Sequence, residues 1–226
     1  SGGNCRLHIM TSPTAVKICG LSTPNMVHVA VDAGATHVGF MFYARSPRNV
    51  TLEQAAELRA LLPETVQAVA IMVNPDDALV DEIAQTVKPD LLQLHGSETP
   101  ERVAAIKTRT GLPVMKVISV ADAADVAAAN IYEKVADLLL FDAKPPKSMA
   151  NALPGGNAVS FDWSLIADAD PQLPWMLSGG LTPDNVADAL ARTGARMVDV
   201  SSGVEDAPGR KNEALIRAFV KAAQSA

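Results

Sequence analysis

Eight short apolar runs, each followed by a segment carrying helix signals, divide this chain into repeated strand-then-helix units. That alternation restricts the fold more than any other feature. The strand-type runs are residues 14–19, 37–42, 66–73, 90–94, 114–118, 137–141, 175–177 and 197–200. Thr23 with Pro24 opens a helix over 25–33 that Gly34 closes, as N-cap, first-turn proline and C-terminal glycine should. Thr51 and Gln54 have capping-box spacing ahead of 52–61, and Thr99-Pro100 opens a helix to Arg109. Further helices are expected over 76–87, near 122–130, from Asp162, and over 183–192 and 213–224. Eight such units in about 210 residues without a linker predict a single-domain (β/α)8 TIM barrel of the α/β class. An open doubly wound sheet would carry a glycine-rich phosphate loop after its first strand, where Gly20 stands alone.

The barrel is expected to span 10–226. Residues 1–9, SGGNCRLHI, show no periodicity and precede Met10. They read as an expression-derived leader or a disordered extension, with the native start at Met10 and Cys5 outside the argument.

Side chains alternate along a strand, so Lys17 and Cys19 share a face, as do Gln93 with His95 and Met197 with Asp199. Polar residues on the outer face would press against helices, so these belong to the barrel interior near its mouth. Closure makes the first and eighth strands neighbours, which predicts a Lys17–Asp199 pair.

In a barrel of this kind the C-terminal strand ends converge on the face where chemistry is done. Cys19 ends the first strand, and the bland alternative for it is a small buried hydrophobe. A Lys17 ammonium beside it would favour the thiolate and make Cys19 a usable base, less whatever an Asp199 partner takes back. Asp142 follows Leu138-Leu139-Leu140-Phe141 directly, and unpaired it would keep its proton and serve as a general acid. A structural ion pair or cap is the alternative there. Ser178-Gly179-Gly180 and Ser201-Ser202-Gly203 end the seventh and eighth strands. Barrels commonly hold phosphate in those two loops through backbone N–H groups. A phosphorylated small molecule is therefore the expected ligand.

Arg48, on the loop after the second strand, is a candidate carboxylate clamp, with Arg45 its competitor and a solvated arginine the plainer reading. His95 is expected in a supporting role in the pocket, and His28 and His37 as structural. No set of residues has metal-ligand spacing, so no metal is expected.

A formal charge of −6 argues against a nucleic-acid-binding surface. No apolar run reaches the roughly 18 residues that span a bilayer, so no membrane partner is expected. Two cysteines and no signal-peptide pattern suggest a reduced, cytoplasmic setting. Monomer and homodimer both fit the composition.

Several runs together resemble one family. They are Val16-Lys17-Ile18-Cys19-Gly20-Leu21, Val38-Gly39-Phe40-Met41-Phe42-Tyr43 with Ser46-Pro47-Arg48, and Leu92-Gln93-Leu94-His95-Gly96. Phe161-Asp162-Trp163-Ser164, Leu177-Ser178-Gly179-Gly180-Leu181 and Val198-Asp199-Val200-Ser201-Ser202-Gly203-Val204-Glu205 continue the series in order. The pattern resembles phosphoribosylanthranilate isomerase of tryptophan biosynthesis, from about Val16 to the C-terminus. The resemblance implies a cofactor-free Amadori rearrangement of N-(5-phosphoribosyl)anthranilate. It assigns Cys19 as general base, Asp142 as general acid, Arg48 to the anthranilate carboxylate, and Gly180 with Ser202-Gly203 to the phosphate. Ala143 stands where the family often has threonine or serine, and residues 143–160 are longer than the pattern and read as a lid with an insertion. The analogous sugar isomerase of histidine biosynthesis fits less well, because it uses paired aspartates. A non-catalytic phosphoribosyl-ligand binder would need no acid and base at the mouth.

Overall fold

The β-type runs and their helices wind into a closed barrel of eight parallel strands, β1 to β8, in sequence order. The strands are β1 Ala15–Cys19, β2 His37–Phe42, β3 Gln67–Met72, β4 Leu91–Leu94, β5 Val114–Val120, β6 Leu138–Ala143, β7 Trp175–Ser178 and β8 Met197–Val200. Closure is made by β1 against β8, with Lys17 in register with Asp199. The computed structural model describes residues 12–143 and 162–226. The N-terminal stretch 1–9 and the segment expected to form a lid, apart from Ala143 itself, lie outside the described residues.

The helices are α1 Pro24–Ala33, α2 Leu52–Ala60, α3 Asp77–Glu82, α4 Pro100–Thr110, α5 Ala123–Ala128, α6 Ser164–Ala167, α7 Val186–Thr193 and α8 Glu213–Gln224. Their starts follow the sequence signals. Thr23 Oγ1 accepts from the Met26 amide, and Thr51 and Gln54 complete both halves of a capping box. Gly34, Gly111 and Gly194 close α1, α4 and α7 in the left-handed conformation.

Two apolar clusters separate by strand face, as the period of two requires. Cys19, Val69, Ile71, Leu91, Met115, Val117, Leu140 and Met176 fill the barrel interior. The alternate strand residues pack outward against the helices, with Val16, Ile18, Phe40, Leu92, Phe141 and Val198 among them.

Several expected boundaries move. β5 runs to Val120, and its pairing Ser119↔Asp142 and Val120↔Ala143 carries β6 past Phe141, so Asp142 sits within a strand and Ala143 ends it. The helix expected over 76–87 changes to a π-turn at Ile83–Val87, and that over 122–130 ends in a 3-10 turn at Ala129–Tyr132. The helix after β7 starts at Val186 rather than Pro183. Asn185 spends its side chain on the preceding loop, accepting from the Thr182 amide and donating to the Gly180 carbonyl. A small hairpin after β8, β9 Glu205–Ala207 against β10 Arg210–Lys211, carries no helix or strand expectation from the sequence.

Candidate active site

β1 delivers two polar side chains to the barrel interior. Lys17 is fully buried, and its Nζ donates to Asp199 Oδ1 at 2.9 Å, the pair the register predicts. Asp199 Oδ2 accepts from the Ser178 hydroxyl at 2.8 Å, so β1, β7 and β8 are tied together beneath the mouth. Burial works against the Lys17 charge, yet Asp199 and Cys19 outweigh it and hold the ammonium above the ordinary lysine value.

Cys19 stands one turn of the pleat above Lys17, is buried, and its Sγ lies beside Gly39, where a Cβ would come within 3.2 Å of the sulfur. Here one expectation is corrected. Burial pushes the Cys19 thiol above its ordinary value, the pull of Lys17 opposes this, and Asp199 adds to the rise. Burial outweighs the pull of Lys17, so the free protein holds a neutral thiol.

Asp142, on β6, faces His95, which follows β4. His95 Nε2 lies 3.4 Å from Asp142 Oδ2, and both side chains are partly open to solvent. His95 Nδ1 is buried without a partner among the described residues, as is Gln93 Oε1 just below it on β4. Unpaired buried polar atoms of this kind are costly unless a ligand or water meets them. His28 is exposed on α1, and His37 sits at the start of β2, on the opposite face from the chemistry, with its Nδ1 2.8 Å from Thr36 Oγ1.

The two glycine loops lie side by side at the ends of β7 and β8. Gly179 and Gly180 have φ of 94° and 67°, which a side chain rarely allows. A Cβ on Gly203 would stand 1.9 Å from the Leu181 carbonyl oxygen, so the close approach of the loops demands glycine there. Ser202–Val204 forms a single 3-10 turn directly after β8, at the same end of the barrel.

The plainer reading of Arg48, a solvated loop arginine, is corrected. One edge of its guanidinium is engaged: its Nε and Nη2 donate to Glu205 Oε2 and Oε1 at 2.9 and 2.5 Å. Its aliphatic stem lies over Gly20, where a Cβ would meet Arg48 Cδ at 2.5 Å, so the guanidinium stands next to Cys19. Arg45 is exposed. Glu205 and its second partner Lys211 were not singled out from sequence, because the encounter of Glu205 with Arg48 spans 157 residues of chain.

A second buried ion pair went unread as well. Lys116, on the outward face of β5, donates to Glu98 Oε1 at 2.9 Å and to the Gly96 carbonyl at 2.8 Å. It is the exception to the rule that places polar strand residues inside. The signal was there, since a lysine in the run Val-Met-Lys-Val-Ile needs a buried partner.

Among the described residues no group of three or more His, Cys, Asp or Glu side chains is placed to hold a metal ion. None of the described helices is long and apolar enough to cross a membrane.

The family model described as N-(5'phosphoribosyl)anthranilate (PRA) isomerase matches residues 16–222, nearly the whole described barrel. This chain belongs to that family. A relative from Parvibaculum lavamentivorans, N-(5'-phosphoribosyl)anthranilate isomerase, is 57% identical over 211 residues, covering 93% of this chain and 98% of its own. The crystal structure of phosphoribosyl anthranilate isomerase from Thermotoga maritima superposes with a TM-score of 0.85 at 35% identity, over 94% of this chain and all of that one (100%). A second solved phosphoribosyl anthranilate isomerase, in complex with reduced 1-(o-carboxyphenylamino)-1-deoxyribulose 5-phosphate, matches with a TM-score of 0.81 at 33% identity, over 94% of this chain and 100% of that one.

Proposed function

We propose that the chain isomerises N-(5-phosphoribosyl)anthranilate to 1-(2-carboxyphenylamino)-1-deoxyribulose 5-phosphate, a step of tryptophan biosynthesis, by acid–base catalysis without a cofactor. Family membership and the convergence of a thiol, a carboxylate and two glycine loops at one end of the barrel support this reading. The observation that carries it is the placing of Cys19 and Asp142 at the C-terminal ends of β1 and β6.

Asp142 donates a proton to the ribose ring oxygen as the bond from that oxygen to C1 breaks. The anilino nitrogen lone pair moves to C1 and leaves an iminium ion. The iminium charge then draws the Cys19 thiol proton off to solvent, and the thiolate so formed takes the proton from C2, whose electron pair neutralises the iminium to an enolamine. Tautomerisation moves the C2-hydroxyl proton to C1 and gives the ketone; the C2 proton has already returned Cys19 to its resting thiol, and a proton from solvent restores Asp142. The neutral thiol of the free protein fits this order: the iminium cation, formed first, favours the thiolate beside it and acidifies C2–H at the same moment. His95, within reach of Asp142, orients its carboxyl. Gln93 Oε1 offers an acceptor to a sugar hydroxyl, and Lys17 with Asp199 holds the floor on which Cys19 stands. Gly179, Gly180, Ser201, Ser202 and Gly203 hold the phosphate, which fixes the sugar between acid and base.

The test is loss of anthranilate-type fluorescence when the protein meets freshly made phosphoribosylanthranilate. Loss faster than spontaneous hydrolysis is expected, and Cys19→Ala or Asp142→Asn should lower kcat by at least about 10²-fold while ligand binding survives. A folded protein that binds the phosphate ligand without turnover would favour a binding protein on the same barrel instead.

A further inference from the structure

The cluster around Arg48 holds two cations and one carboxylate. Glu205 Oε2 accepts from Lys211 Nζ at 2.7 Å as well as from Arg48, and Lys211 is pinned by the Ser201 carbonyl and hydroxyl at 3.1 and 3.2 Å. Glu205 and Lys211 side chains are only 3% and 2% exposed, whereas Arg48 keeps 20%. The hairpin that carries them is itself fastened: the Asn212 amide donates to the Val204 carbonyl, and its turn at Gly209 lies against the Pro47 carbonyl, next to Arg48. A carboxylate so buried is expensive, but the hydrogen bonds from Arg48 and Lys211 outweigh burial and hold Glu205 below the ordinary carboxylate range.

Glu205 takes one edge of the guanidinium, Nε with Nη2, and sets its plane. Nη1 has no partner among the described residues, so the other edge is left for a ligand. One more negative charge would balance the cluster.

We propose that Glu205, anchored by Lys211, is the positioning residue that sets the Arg48 fork to receive the anthranilate carboxylate. The proposal rests on the reading of Arg48 as the carboxylate clamp. It adds that the clamp's direction comes from the hairpin after β8, which also borders the phosphate loop. A long arginine on the loop between β2 and α2 has many rotamers of its own, and fixing it in advance removes that entropy from the cost of binding.

The experiment compares two ligands by equilibrium titration: reduced 1-(o-carboxyphenylamino)-1-deoxyribulose 5-phosphate, and its counterpart lacking the ring carboxylate. Glu205→Gln should weaken the carboxylate-bearing ligand by about tenfold and the other by less than about twofold, as expected for loss of one charge-assisted contact. In turnover the same variant should raise KM more than it lowers kcat. Glu205→Asp keeps the charge but moves it back by one carbon, and its loss should be intermediate; it serves if the glutamine variant does not fold. Arg48→Met separates the two levels of the argument. If Arg48→Met abolishes discrimination between the ligands while Glu205→Gln and Glu205→Asp leave it intact, the positioning role is overturned and the clamp stands. If Arg48→Met itself does not change discrimination, the clamp reading fails, and this proposal with it. Equal weakening of both ligands by the Glu205 variants would mark Glu205 as structural and also overturn the proposal.

Discussion

Cys19 illustrates how a single residue's chemistry depends on what its neighbours do with their own charges. Lys17 is adjacent, which from sequence argues for a thiolate; Asp199 at 2.9 Å from Nζ offsets part of that pull. With burial dominant, the thiol stays protonated well beyond neutrality. In a protein with Cys5 replaced by Ser, the rate of Cys19 alkylation by iodoacetamide should therefore rise with pH without levelling off below pH 9.0, the ordinary value for the group. A plateau beginning near neutral pH would show that the lysine wins after all. Lys17→Met should delay the rise further, since the only large pull toward the thiolate from β1 is then gone.

At the level of elements, the loop between β4 and α4 is held from within. Glu98 folds back to accept from the Gly96 amide at 3.0 Å and from the Asn74 amide at 2.7 Å, Lys116 closes the pair, and Tyr132 donates its hydroxyl to the Glu98 carbonyl at 2.6 Å. Asn74 adopts φ of 45°, which its short polar side chain tolerates. The network joins the loops after β3 and β4 to β5, and His95 lies at the root of one of them. Removing one partner leaves a buried charge alone, so Glu98→Ala should cost about 3–5 kcal/mol by urea unfolding. The double variant Glu98→Leu with Lys116→Met should recover most of that loss, because no unpaired charge is then left behind. Recovery of stability without recovery of turnover would separate the network's part in folding from its part in placing His95.

Across the whole molecule the two ends of the barrel divide their tasks. The C-terminal end gathers Cys19, Asp142, His95, Arg48 and the glycine loops, while the N-terminal end contributes to stability. His37, at that end, is half-buried, and its imidazole is pushed down from 6.5 to about 4, chiefly by loss of solvent and then by the Lys17 charge. The unfolded chain then binds a proton that the folded one refuses. Stability contributed by the neutral ring is complete above 6.5 and is lost as pH falls toward about 4. The difference is worth about 3 kcal/mol. His37→Gln should flatten the fall of the denaturant midpoint across that window relative to the parent protein. An unchanged slope would mean that other groups carry the acid sensitivity.

Local rules carried much of this protein. Periodicity, caps and glycine stops placed the helices and strands, because those signals act within a turn or two of chain. Strand alternation with barrel closure even brought Lys17 to Asp199, since register turns a long-range contact into a counting problem. Cys19, Asp142 and the loops at Gly180 and Gly203 were legible for the same reason, each ending a strand of known sense. Three things needed the folded molecule. The extension of β6 through Asp142 came from its partner β5, not from its own residues. The neutral state of Cys19 is a sum of burial and opposed charges from β1 and β8. The engagement of Arg48 by Glu205 and Lys211 joins a loop after β2 to a hairpin after β8, and side-chain contacts over such separations leave no local trace in the order of residues. Burial and long-range pairing are properties of the closed barrel, so tertiary structure alone decided them.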